Sequence, residues 1–255
     1  MEFEKVFCLF EQSGVFKNCF KNLGYEAYDI DLLNNYGEVD YQLDIFKEVD
    51  AYFDKKTSIF DKINEGDLIM SFFPCINFTE KFFLNASGKQ FAHKKSSLET
   101  KIKYSSRKIN EMAMFYGYFC KIALIALKKN IKMVVENPNA NLQILKTFFP
   151  KEPSVIINDR TNFGDKYRKP TAFWFFNCVP SFNYIFENIK NDKKENITIK
   201  KVAQFEKQGF SSDFYKKIRE QRSIMSPTFA DRFIREFVLE QEEADKIMDK
   251  RLCNI

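Results

Sequence analysis

Asp67-Leu68-Ile69-Met70-Ser71-Phe72-Phe73-Pro74-Cys75 is an apolar run that stops abruptly on Pro-Cys. A run this short and this apolar suits a strand buried on both faces, as in a parallel sheet covered by helices. A second such run, Ile131-Lys132-Met133-Val134-Val135, stops on Glu136-Asn137-Pro138. A third, Val6 to Phe10, turns at Gln12-Ser13-Gly14. Val15, Phe16, Cys19, Phe20 and Leu23 then share one face of a helix, which Gly24 ends. Glu26 to Ile30, Val39 to Leu43, Ser154 to Ile157 and Phe173 to Phe176 complete the expected strands. Helices are expected from Asp44 to about Tyr52, over Glu99 to Asn130 as one or two, and over Asn139 to Phe149. This alternation predicts an α/β fold with a mostly parallel central sheet and crossover helices. Cys75 to about Leu98 is polar, carries Gly88 and several lysines, and reads as a long loop. Ser226-Pro227 opens a C-terminal helix whose stripe is Phe229, Phe233, Ile234, Phe237 and Val238.

The bulk properties narrow the classes. A chain of 255 residues fits one large domain, or one with a small appendage. No apolar run approaches a membrane span, and Met1-Glu2-Phe3-Glu4-Lys5-Val6 lacks the plan of a signal peptide. A cytoplasmic location is expected. The net charge of +5 describes no bulk polycation, so any nucleic-acid contact must use a local basic face. The six cysteines form no C-x-x-C pair and His93 is the single histidine, which argues against a zinc site or a disulfide framework. No metal is expected. His93, in Lys89-Gln90-Phe91-Ala92-His93-Lys94-Lys95, reads as a solvated loop histidine.

Reactive groups in an α/β sheet sit where parallel strands end. Cys75 and Glu136 occupy two such ends. A thiol can add to a pyrimidine ring, and a carboxyl group can hold or protonate it. The order of these signals resembles the DNA cytosine-5 methyltransferase family over residues 5–176 and 222–240, nearest to small methyltransferase-like proteins of bacteriophages. The resemblance implies a Rossmann-like, S-adenosylmethionine-dependent methyltransferase fold. In its terms Phe10, Gln12 and Gly14 take the place of the Phe-x-Gly-x-Gly turn, with Gln12 where the first glycine would stand. Asp29, with Asp31 as the substitute, would hold the cofactor ribose; Asp44 would lie near the adenine amino group; Phe73 and Pro74 would border the cofactor. Cys75 would add to carbon 6 of a flipped cytosine, and Glu136 would grip the ring nitrogen and exocyclic amine. Arg168, in Phe163-Gly164-Asp165-Lys166-Tyr167-Arg168-Lys169-Pro170, matches the first arginine of the Gln-x-Arg-x-Arg motif. The second is absent, and Arg160 is the candidate replacement. The stretch after Cys75 would be a mobile catalytic loop, with Lys81, Lys89, Lys94 and Lys95 available to phosphates.

The resemblance divides the chain into a catalytic domain (1–179), a reduced target-recognition region (180–221) and C-terminal helices completing the first domain (222–255). The middle region is too short for a full domain. That leaves relaxed specificity, a protein partner that supplies it, or a substrate other than duplex DNA, such as RNA or a free nucleotide. A catalytically degenerate fold that binds nucleic acid or a host protein, for instance a phage counter-defence factor, is the competing class. Plainer roles also stay open. Cys75 could be an inert buried thiol, Asp44 a helix N-cap, Glu136 a helix cap, Arg168 a surface ion pair and Trp174 core.

Overall fold

The computed structural model describes residues 1–89, 95–185 and 224–252. His93, Lys94, the run Lys190 to Lys194, Cys253 and most of the expected recognition region lie outside the described residues, as does the side chain of Lys81.

Seven strands form one sheet: β1 (Lys5–Leu9), β2 (Glu26–Asp31), β3 (Tyr41–Gln42), β4 (Leu68–Ser71), β5 (Lys132–Pro138), β6 (Val155–Ile157) and β7 (Thr171–Phe176). Their order is β3-β2-β1-β4-β5-β7-β6. The first five run parallel, whereas β7 is antiparallel to both β5 and β6. The chain is therefore α/β, with a mostly parallel mixed sheet flanked by helices, compatible with a Rossmann-like fold. Its order reverses between β1 and β4, and that switch point is where open α/β sheets bind ligands.

The strands are apolar on both faces because both are covered. Phe7, Leu9, Ile69 and Met133 face a core shared with α2 (Ile45–Phe53) and α4 (Leu98–Lys128). Val6, Cys8, Met70 and Val134 face the other, shared with α1 (Val15–Asn22) and with α6 (Pro227–Phe233). In that second core Phe173 stacks on Phe233 with centroids 4.1 Å apart. Burying one such ring contributes about 1.5–3 kcal/mol. The C-terminal segment thus completes the same core as β1. Ser226 caps α6 through Phe229 N–H, and Pro227 occupies the first turn. Trp174 is fully buried, and its indole N–H donates to the Lys151 carbonyl at 2.9 Å, so it belongs to the core and not to a stacking platform.

Several boundaries differ from the sequence reading. The stretch after Cys75 is not wholly loop, since α3 (Glu80–Ala86) forms within it. Phe82 within it and Phe78 in the turn before it are both buried, and polar neighbours hide that pattern in the sequence. Glu99 to Asn130 resolves into the single helix α4, capped by Ser97. Asn139 to Phe149 contracts to α5 (Ile144–Phe148), capped by Gln143. The apolar stripe after Ser226 passes from α6 into a π-helical turn, Ile234–Val238, before α7 (Gln241–Leu252). Among the described residues, no helix is long and apolar enough to cross a membrane.

Candidate active site

The turns after β1 and β4 and the end of β5 meet at one cleft of about 330 Å³. Phe10, Gln12, Phe16, Phe73, Pro74, Cys75, Glu136, Lys169 and Met225 are among its walls. Its size lies within the range of small-molecule sites.

Each wall has a local cause. Phe10 leaves β1 with φ 60°, a rare left-handed conformation for a bulky residue. Its N–H donates to Ile30 O at 2.9 Å, and its ring packs edge-on against Phe73 at 5.3 Å. Gln12, standing where the resemblance expects glycine, accepts from Asn35 N–H at 3.4 Å and so ties the β1 turn to the loop after β2. Gly14 caps α1 at φ 71°, and a Cβ there would lie 2.6 Å from Glu38 Oε2. Gly14→Ala is expected to cost about 1–2 kcal/mol from the left-handed backbone, lowering the melting temperature by a few degrees in a thermal scan.

Phe73 anchors the Pro-Cys turn. It stacks on Phe78 at 5.6 Å and meets Phe119 edge-on at 5.4 Å. Asn137, fully buried, donates to Phe73 O at 2.9 Å and accepts from Gln143 Nε2 at 3.0 Å. The asparagine of Glu-Asn-Pro therefore clamps the end of β5 to the turn that carries Cys75. Cys75 is half-buried. Burial pushes its thiol above the ordinary value, the Lys169 ammonium pulls it down, and Glu136 adds to the rise. Glu136 is buried, with Oε1 lacking a hydrogen-bond partner. Burial raises its carboxyl, against the pull of Lys169 and then Arg160.

The structure thus brings together Phe10, Gln12, Phe73, Pro74, Cys75 and Glu136, but not every expected residue. Arg168 is largely exposed and pairs with Asp159 at 3.4 Å, outside the cleft walls. Its neighbour Lys169 occupies the cleft instead, because the strand that follows begins immediately after Pro170. Arg160 is buried, paired with Asp165 at 2.7 Å and placed over the Phe229 ring, with its charge felt by Glu136. Asp29 is fully buried beside Lys17, 3.7 Å away, and is not among the walls of the cleft. Its register opposite Cys8 sinks it into the sheet. Asp31 lies at the strand end and accepts from Leu33 N–H at 2.7 Å, bracing the loop whose Leu33, Asn35 and Tyr36 do line the cleft. Asp44 caps α2 through Phe46 and Lys47 N–H. Gln143, not Glu136, caps α5.

Lys169 and Asn137 are the residues sequence reasoning left without a role. Lys169 stands one position from Arg168, and nothing in spacing alone orders the two. Removing its charge should be visible directly. In Lys169→Met the pH at which Cys75 reacts with iodoacetamide is expected to move up, read by mass spectrometry of the alkylated peptide.

Compared with known proteins, the chain matches no family model and no curated sequence.

Proposed function

We propose that this chain is an S-adenosylmethionine-dependent DNA cytosine-5 methyltransferase that uses Cys75 on a flipped cytosine. The observation that carries the reading is the convergence of Cys75, Glu136 and Lys169 in one cleft at the sheet's switch point. The same cleft carries groups of the kind S-adenosylmethionine would need. Phe10 and Phe16 offer apolar faces, while Gln12, Ser13, Asn35 and Tyr36 offer hydrogen-bonding groups. S-adenosylmethionine supplies an electrophilic methyl group when bound there.

The chain's own residues do the rest. Cys75, as thiolate, adds to cytosine carbon 6, which makes carbon 5 nucleophilic. Glu136, whose carboxyl is held up by burial, gives its proton to the ring nitrogen, neutralising the charge that addition at carbon 6 pushes there and leaving the carboxylate. Lys169 favours the thiolate. After transfer, a water takes the carbon 5 proton, the carbon 6–sulfur bond breaks to return the thiolate, the ring nitrogen gives its proton back to Glu136, and the methylated base is released. The aromatic packing around Phe73 and the Asn137 clamp hold the nucleophile in place.

Transfer of labelled methyl groups to cytosine-containing single- and double-stranded DNA, with Cys75→Ala as control, tests the proposal. A well-folded protein that binds S-adenosylmethionine and DNA yet methylates no cytosine would sink it. A second reading, a catalytically degenerate binder of nucleic acid or a host protein, draws on Arg168, which turns out to Asp159 instead of lining the cleft. On that reading Cys75→Ala keeps its biological activity.

A further inference from the structure

Away from the reactive groups, the parallel pairing of β1 and β2 sets Cys8 opposite Asp29. The turn after β1 folds Glu11 back onto the same spot. Cys8 and Asp29 are fully buried and Glu11 is 7% exposed, and their ligand atoms lie within 4.8 Å of one another. One Glu11 oxygen accepts from Ser13 Oγ at 3.0 Å and Phe16 N–H at 3.1 Å. The other, Oε2, has no hydrogen-bond partner, while Asp29 takes a hydrogen bond from the Cys8 thiol and lies 3.7 Å from the Lys17 ammonium. Buried carboxylate oxygens left this way are costly unless a cation or a proton joins them.

Lys17 is the nearby cation and it is heavily shared. Its ammonium lies 3.2 Å from Asp40, 3.5 Å from Glu38 and 3.7 Å from Asp29, and it donates to the Glu38 carbonyl. With Glu11 beside Asp29, four carboxylates share the neighbourhood of one ammonium.

We propose that Cys8, Glu11 and Asp29 form a buried site for a divalent cation of the zinc class. One thiolate and two carboxylates are donors that zinc accepts, at about 2.0–2.3 Å. Tetrahedral donors at that range stand about 3.6 Å apart, so the three close in by about 1 Å on binding. With three protein donors, the fourth tetrahedral position would go to a water, as in other three-ligand zinc sites. The cation displaces the Cys8 thiol proton to solvent and bonds to sulfur. Three negative donors then face a dication and the Lys17 ammonium, and the buried charges cancel. The site would pin β1, β2 and the cleft-wall turn together, and it uses none of Cys75, Glu136 or Lys169. Spacing along the chain gave no hint of it, because its donors meet through strand register and not through a C-x-x-C pattern.

Cobalt(II) is the probe. The full chain, purified metal-free, is titrated with one equivalent and followed in the near ultraviolet. The expected result is a thiolate-to-cobalt charge-transfer band, one metal per chain, absent in Cys8→Ser and retained in Cys75→Ser. Asp29→Asn is expected to weaken binding by at least about tenfold. Circular dichroism establishes that each variant folds. Should Cys8→Ser not fold, Glu11→Gln takes its place, and binding is expected to weaken there by at least about tenfold. No band in folded wild type, a band that survives Cys8→Ser, or undiminished affinity in Glu11→Gln overturns the proposal and leaves a shared proton as what relieves the cluster.

Discussion

Cys75→Ala is expected to abolish methyl transfer, by more than about 10⁴-fold in rate, while leaving S-adenosylmethionine binding unchanged. Among the described residues the side chain is the only thiol on the cleft wall, and without it no covalent bond to carbon 6 can form. The substitution removes little packing, since Cys75 is half-buried and the turn is held by Phe73 and Asn137. Single-turnover assays beside calorimetric cofactor binding separate the two effects. Retained transfer in the mutant would remove the nucleophile from the mechanism altogether. Because burial raises the thiol, wild-type transfer should climb as pH rises and the thiolate forms.

Glu136→Gln should follow with a loss of about 10²–10³-fold in transfer. Glutamine keeps the shape but cannot deliver a proton to the ring. The carboxyl is raised by burial, so its protonated form persists to higher pH than in water and is lost as pH climbs through the raised value. In wild type that loss offsets the gain from the Cys75 thiolate, and the rate levels off. In Glu136→Gln the rate, though low, should keep climbing. Matching pH profiles in the two proteins would remove the proton donor from the scheme. Folding should be little affected, since Glu136 caps no helix and its neighbour Asn137 carries the structural bond.

The sheet was legible because its strands are short apolar runs with abrupt ends. Asp67 to Phe73 and Ile131 to Val135 could hardly be anything else, and Gly24 and Ser226-Pro227 punctuate as turn chemistry requires. The reversal of β7 was not legible: Phe173 to Phe176 reads the same in either direction, and only its pairing with β5 decides. Cys75 and Glu136 could be picked out because each follows an apolar run. Which of Arg168 and Lys169 faces the cleft depends on one step of backbone, and Asp29 versus Asp31 on strand register, neither of which composition or spacing encodes. Asp44 had two readings at the outset, and its bonds to Phe46 and Lys47 N–H show the helix cap.

Trp174 is the sole tryptophan of the chain, and its fully buried indole lies on the strand beside the one that carries Glu136. All tryptophan emission therefore comes from one dry position. It should be blue-shifted in the folded protein, move red in a single step on unfolding, and resist quenching by iodide. Its ring is not part of the cleft wall, so a ligand entering there meets a chromophore that does not touch it. Fluorescence of this protein is thus a gauge of the integrity of β7, and occupancy of the cleft has to be read by another signal.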